Sequence, residues 1–401
     1  MLFFLGRQPE IGVSELESLL DSNLKKIAKT VYWADIDEYA ATNLMPRLGS
    51  VIKIANELNI RSIKAPSYDL DSKLDSLFSP INGKLTVGLS FYGENLKPSL
   101  TKKIKSSIIK NLKKTHSLRL VPNDKFSLSS ASVIHNKLIG SNPKKCELNL
   151  IQVDSDKQSF LVAKTIAIQD IKRYTYRDRY RPKRDTFNGM LPPKLAQTII
   201  NLASGRYKSG ITEDKKTPVI LDPFCGSGVI LQEAGLMGYK TIGTDINPKM
   251  IDYTNENLKW LQETHQINVD YSLKVGDATN FNWQKEFNLR AIDIVASELY
   301  LGRPYSSPPK KDNLLANIAN CNLIAKEFLK NIYHQLSSDS ILCIAVPCWF
   351  IESNHAVNSK HLNLVNNLAQ LGFKDLYHGK HLIYRRPNQI VGRELLVLRK
   401  Q

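Results

Sequence analysis

At 401 residues with 42% hydrophobic content, the chain exceeds what one hydrophobic core usually organises, so two or three packed domains are expected. No run approaches the roughly 20 apolar residues of a membrane span, and the five cysteines (Cys146, Cys225, Cys321, Cys343, Cys348) are scattered without a CxxC pair, which fits neither a disulfide framework nor a cysteine zinc site. Lys and Arg number 55 against 38 Asp and Glu, a formal charge of +17 that implies a polyanionic partner, because basic side chains displace the counterions condensed on phosphates.

The opening stretch, residues 1–7, is too short for the apolar core of a secretion signal and reads as the first buried strand of a cytosolic protein. Strands over 1–5 and 26–34, a helix over 13–20 and a second helix reaching through 51–58 predict a small α+β unit over residues 1–59. A second α+β unit, residues 60–170, is read from strands at 85–92, 147–153 and 159–168. Its helix over 99–113 sets Ile104, Ile108, Ile109 and Leu112 on one stripe and Lys102, Lys103, Lys105, Lys110, Lys113 and Lys114 on the other. That lysine face is either solvated or tracks phosphates. A denser basic run follows in the stretch read as a linker, residues 171–190. It interleaves Lys172, Arg173, Arg177, Arg179, Arg181, Lys183 and Arg184 with Tyr174, Tyr176 and Tyr180, offering charge for phosphates and rings for bases. The alternative is that the tyrosines pin the linker to a neighbouring domain.

Beyond a short helix over 193–203 and a polar loop over 204–217, strand and helix alternate. Strands are predicted at 219–221, 241–244, 271–275, 292–296 and 341–346, with helices at 228–237, 249–262 and 312–336. This predicts a doubly wound α/β domain over 191–401, with ligands at the C-terminal ends of parallel strands. Segments 376–386 and 394–400 read as a closing antiparallel hairpin. The histidines show no metal-ligand spacing, so no metal is expected.

Asp222 ends the first of these strands, and Gly226-Ser227-Gly228 turns directly into a helix. Glycines suit such a turn because the backbone must approach a ligand closely in conformations a Cβ resists. Leu231 stands where a dinucleotide fingerprint would carry its third glycine, which argues against a dehydrogenase. Asp245 ends the second strand, where a carboxylate accepts from ribose hydroxyls, and Asp277 ends the third, placed to accept from an adenine amino group. One strand-end Asp is as well explained as a helix cap; three in succession point to a nucleoside.

Asp222-Pro223-Phe224-Cys225-Gly226-Ser227-Gly228 resembles the cofactor motif of base-amino methyltransferases that use S-adenosylmethionine. Arg177-Asp178, Arg181-Pro182-Lys183-Arg184 and the segment 189–197, from Gly189-Met190-Leu191-Pro192 onward, resemble the linker of the archaeal and eukaryotic THUMP-domain tRNA guanosine-10 N2-methyltransferases. The likeness is strong over about 172–250 and only architectural over 1–170. It implies a ferredoxin-like domain and a THUMP RNA-binding domain ahead of a seven-stranded Rossmann-like catalytic domain. It further implies S-adenosylmethionine held by Asp222, Pro223, Phe224, Cys225, Gly226, Gly228, Asp245, Ile246, Asp277 and Ala278, with Met190, Leu191 and Pro192 closing over its methionine end. The RNA contacts would then be Lys102, Lys103, Lys105, Lys172, Arg173, Tyr176, Arg177, Arg179, Arg181, Lys183 and Arg184. Some members of the family work with a small activating subunit, and tRNA is the implied partner.

After the fourth strand such enzymes carry an acceptor residue, Pro-Pro and an aromatic. This chain has Ser297-Glu298-Leu299-Tyr300 instead, with Glu298 and Leu299 where both prolines belong. In an active reading Ser297 or Glu298 accepts from the target amine and Tyr300 stacks on the flipped base. In a silent reading the loop is mispositioned and the protein binds tRNA without methylating it. An amino methyltransferase of rRNA or DNA is a further alternative.

Overall fold

The computed structural model describes residues 1–123, 125–154, 159–184, 190–207, 218–353 and 356–401; Gly189 and residues 208–217 of the expected polar loop lie outside them. The chain divides into two compact units, Met1–Lys172 and Arg173–Gln401.

In chain order the first unit holds β1 (Leu2–Leu5), α1 (Pro9–Leu19), β2 (Lys25–Ala28), β3 (Val31–Trp33), α2 (Glu38–Leu44), β4 (Val51–Lys64), α3 (Tyr68–Phe78) and β5 (Lys84–Tyr92). There follow α4 (Pro98–Thr115), β6 (Ser117–Leu120), α5 (Ser130–His135), β7 (Lys145–Asp154) and β8 (Ser159–Ile168), and α6 (Ile171–Arg179) leads into the second unit. The strands form one eight-stranded sheet in the order β2-β3-β1-β4-β8-β7-β5-β6. The helix expected over 51–58 is therefore the long strand β4. The apolar, β-branched run Val51-Ile52-Lys53-Ile54-Ala55 has no helical period and is buried between β1 and β8. Lys53 is itself buried there, donating to Glu147 Oε1 at 2.5 Å. The boundary expected at residue 59 falls inside this strand, and the sheet continues through it.

The second unit holds α7 (Pro193–Ser204), β9 (Val219–Asp222), α8 (Val229–Leu236), β10 (Lys240–Asp245), α9 (Pro248–His265), β11 (Tyr271–Val275), α10 (Trp283–Glu286) and β12 (Ile292–Glu298). Next come α11 (Lys311–Tyr333), β13 (Leu336–Ser353), β14 (Ala356–Lys360), β15 (Phe373–Asp375), β16 (Ile383–Tyr384) and β17 (Val391–Lys400). The main sheet runs β11-β10-β9-β12-β13-β17-β15, with β14 on β13 and β16 on β17. Its first five strands are parallel, and β17 inserts antiparallel to β13 over nine residue pairs from Ile341↔Arg399 to Trp349↔Val391. This is the expected Rossmann-like fold. The central strands carry fully buried Ile220, Ile294, Val295, Leu342 and Ile344, as a parallel sheet covered on both faces requires. Chain order reverses between β9 and β12, the crevice where such sheets bind ligands.

Among the described residues no helix is long and apolar enough to cross a membrane. All five cysteines are free and buried, and burial pushes the Cys146 and Cys321 thiols up to about 12, as suits inert core positions.

Candidate active site

A cavity of about 550 Å³ opens at the C-terminal ends of β9, β10, β11 and β12. Its floor is the turn after β9. Gly226 and Gly228 have φ of +51° and +81°, and a Cβ on Gly228 would come within 2.7 Å of Thr254 Cγ2. Left-handed backbone at both positions lets α8 start immediately, and Cys225 N–H donates to Thr244 O at 2.9 Å to tie the turn to β10. Gly228 caps α8 beneath the turn, while Pro223, Phe224, Cys225, Gly226 and Ser227 line the cavity.

The three strand-end carboxylates, Asp222, Asp245 and Asp277, all line the cavity. Asp245 accepts from Gly226 N–H at 3.0 Å through Oδ2 and from Asn247 N–H at 2.9 Å through Oδ1, so each oxygen keeps a further lone pair. Asp277 receives both the N–H and the hydroxyl of Thr279 on Oδ1, at 2.9 and 2.8 Å. Asp222 is buried and accepts through Oδ1 from Phe224 N–H at 3.3 Å and Ser297 Oγ at 2.6 Å. Loss of solvation is the main cause that raises the Asp222 carboxyl to about 7, opposed by those two hydrogen bonds. Burial raises Asp245 as well. Ile246, 68% exposed, and the buried Ala278 both line the cavity beside Asp245 and Asp277. Met190 and Leu191 line the cavity from the segment before α7; Pro192 is the residue capping α7 and stands back from the lining. A glycine cradle, three acceptor groups at successive strand ends and an apolar slot fit a nucleoside cofactor with a cationic tail.

The positions expected at methyl transfer divide. Ser297 does not reach the cavity as an acceptor: it is fully buried on β12 and its hydroxyl proton goes to Asp222. Strand alternation sends its neighbour Glu298 the other way, into the cavity. Arg393 Nε of β17 holds Glu298 Oε1 in a close ion pair. Sequence reasoning missed Arg393, which carries no local motif; register alone pairs Glu298 and Leu395 with the same residue, Ala345 of β13. Leu299 N–H donates to Ala345 O at 2.9 Å, so the loop that lacks its prolines is fastened by a bond that proline could not make. Tyr300 lines the cavity and is 40% exposed.

The basic run also departs from expectation. Residues 171–179 are helix α6, and its period of about 3.6 buries Tyr174 and Arg177 on one face. Arg177 is bidentate to Glu233, with Nε at 2.6 Å and a terminal nitrogen at 3.0 Å, which removes it from RNA contact. Arg181 is likewise buried, donating to Met190 Sδ at 3.0 Å. Tyr176 stacks between Tyr180 at 5.2 Å and Trp260 at 5.5 Å, so the pinning alternative describes it. Lys183 is half-buried and pairs with Glu256 at 3.2 Å. Lys172, Arg173, Arg179 and Arg184 are exposed, as are Lys102 and Lys103 of α4, whereas Lys105 is half-buried.

Residues 46–256, more than half of the chain, match the family model described as DNA methylase, and residues 214–384 match that of a methyltransferase domain. The tRNA (guanine(10)-N2)-dimethyltransferase of Methanothermobacter thermautotrophicus is 28% identical over 190 residues, 47% of each protein. That of Pyrococcus abyssi is 32% identical over 160 residues, 40% of each. A probable tRNA (guanine(10)-N2)-dimethyltransferase of Methanothermococcus thermolithotrophicus is 33% identical over 127 residues, 32% of this chain and 72% of the relative. The chain thus matches about half or less of the length of the first two relatives. TrmN from Thermus thermophilus shares the fold, with a TM-score of 0.51 at 13% identity over 100% of this chain and 99% of that one. The chain belongs to the S-adenosylmethionine-dependent methyltransferases, in the family described by the DNA methylase model, and has archaeal tRNA (guanine(10)-N2)-dimethyltransferases among its relatives.

Proposed function

We propose that this protein methylates the N2 amine of a guanosine in tRNA, at position 10 as its relatives' names indicate, and works in the cytoplasm. The observation that carries this reading is that Glu298 and Tyr300 line the same cavity as Asp222, Asp245 and Asp277. Guanine N2 is a poor nucleophile because its lone pair is delocalised into the ring, so rate depends on orientation. Glu298 is the acceptor: Arg393 fixes one carboxylate oxygen and leaves the other to take an N–H of the amine, aligning the lone pair. Tyr300 offers a half-open ring on which a flipped base stacks. S-adenosylmethionine, when bound, supplies the electrophilic methyl group, held by Asp222, Asp245, Asp277 and the glycine turn. The proton leaves the amine after transfer, so no strong base is needed. Ser297 is a positioning residue that acts through Asp222.

The N-terminal unit is read as the RNA-binding part, its ferredoxin-like and THUMP-like halves sharing strand β4. Lys102, Lys103 and Lys172 are its candidate phosphate contacts, and Arg173, Arg179 and Arg184 are those of the second unit. Labelled methyl transfer onto tRNA, rRNA fragments and duplex DNA, followed by nucleoside mass spectrometry of the product, tests the proposal. N2-methylguanosine in tRNA supports it; cofactor binding without transfer to any nucleic acid overturns it in favour of a silent tRNA-binding protein.

A further inference from the structure

Away from the cofactor cavity, two histidines and a buried carboxylate converge within the C-terminal unit. His361 follows β14, His381 precedes β16, and Glu394 lies on β17. Their ligand-type atoms all fall within 4.8 Å of one another. Glu394 is 2% exposed, and its two oxygens each face one imidazole: Oε2 lies 2.7 Å from Nδ1 of His361 and Oε1 2.5 Å from Nδ1 of His381. The rings are 4.6 Å apart between centroids and inclined by 34°. On its far side His361 Nε2 lies 2.9 Å from Ser359 Oγ.

We propose that His361, His381 and Glu394 form a binding site for a divalent transition ion, zinc foremost. Two imidazole nitrogens and one carboxylate oxygen are a donor set that suits zinc and its neighbours, while magnesium and calcium demand mostly oxygen ligands. Ligand atoms about 2.0–2.2 Å from a tetrahedral zinc sit roughly 3.5 Å from one another, a spacing the present cluster reaches by small side-chain rotations. His381, 57% exposed, has room to make them. Ligation through Nδ1 requires the ring proton on Nε2, and Ser359 Oγ is already placed to accept it from His361. The ligands come from three separate segments, so the ion would staple the closing part of the unit. Glu394 is adjacent in β17 to Arg393, and alternation points the two to opposite faces. An ion at Glu394 therefore also steadies the strand that holds Glu298.

The test uses the whole protein, treated with chelator and titrated with zinc(II) and, for its spectrum, cobalt(II). One equivalent should bind, with visible cobalt bands and no thiolate charge-transfer absorption. Zinc should raise the Tm of the wild type and leave that of a His361→Ala/His381→Ala variant unchanged. Ser359→Ala, which removes only the outer hydrogen bond, should weaken binding about tenfold or more without changing the Tm of the metal-free protein. Absence of stoichiometric binding, or unchanged affinity in the double variant, overturns the proposal. If the double variant fails to fold, unchanged affinity in His381→Ala alone overturns it equally, because that exposed side chain leaves the fold intact.

Discussion

Asp222→Asn separates the energetic cost of a buried charge from its use. The Asn side chain is nearly isosteric and keeps an oxygen for Ser297 Oγ and Phe224 N–H, the two donors that Asp222 now engages. The wild-type carboxyl is raised from 3.8 to about 7, chiefly because the folded site withholds water from its charged form. A raised folded-state value means that the folded protein binds the extra proton between these limits. Its contribution to stability is full below the unfolded value and is lost as pH rises through about 7. The difference corresponds to on the order of 4 kcal/mol between the protonated and ionised limits. Asparagine carries no such dependence, so the variant should match the wild type only below the unfolded value, near about pH 3, exceed it by about 1.5 kcal/mol near about pH 5 and by about 4 kcal/mol near about pH 8. For a unit of this size that corresponds to roughly 10 °C in Tm. Urea and thermal unfolding of both proteins without cofactor, across this pH range, reads the effect directly, since other titrations cancel in the difference. A variant less stable than wild type near pH 8, or a difference that does not change with pH, would refute the reasoning. The same substitution should weaken cofactor binding in calorimetry, which is the reason an enzyme keeps the costly carboxylate.

Glu298→Ala should lower methyl transfer about a hundredfold while leaving cofactor affinity unchanged, because it removes orientation of the amine; undiminished transfer would discard Glu298 as the acceptor. Arg177→Ala strands the buried Glu233 carboxylate and should cost about 3–5 kcal/mol in urea unfolding, against near zero if the pair were solvated. Gly228→Ala forces a Cβ into a left-handed position 2.7 Å from Thr254 Cγ2. Cofactor binding measured by calorimetry should be lost or severely weakened, with stability down by about 1–3 kcal/mol. Exchanging Lys102 and Lys103 for Glu should weaken tRNA binding and reduce the salt dependence of log K by about one for each phosphate no longer neutralised; an unchanged slope would return that face to solvent.

The sequence by itself determined the cofactor half of the site. Asp222 to Gly228, Asp245 and Asp277 each sit at a strand-to-helix turn, where a few consecutive residues dictate both backbone and chemistry. It determined the parallel alternation that lines those turns up, and the helix α4 with its face of exposed lysines. The burial of Tyr174, Arg177 and Arg181 was present in their i, i+3, i+7 spacing, yet the density of charge in that run reads as a nucleic-acid surface. Tertiary structure decided the rest. Val51 to Leu58 lies in a strand because β1 and β8 cover it on both sides, a demand that no local propensity expresses. Ser297 turns inward to Asp222 and Glu298 outward to Arg393, partners 75 and 95 residues distant along the chain. His361, His381 and Glu394 meet in the same way, across β14, β16 and β17. Which side chains a sheet brings face to face is set by strand order and register, and these arise only when distant segments pair, so spacing along the chain cannot report them.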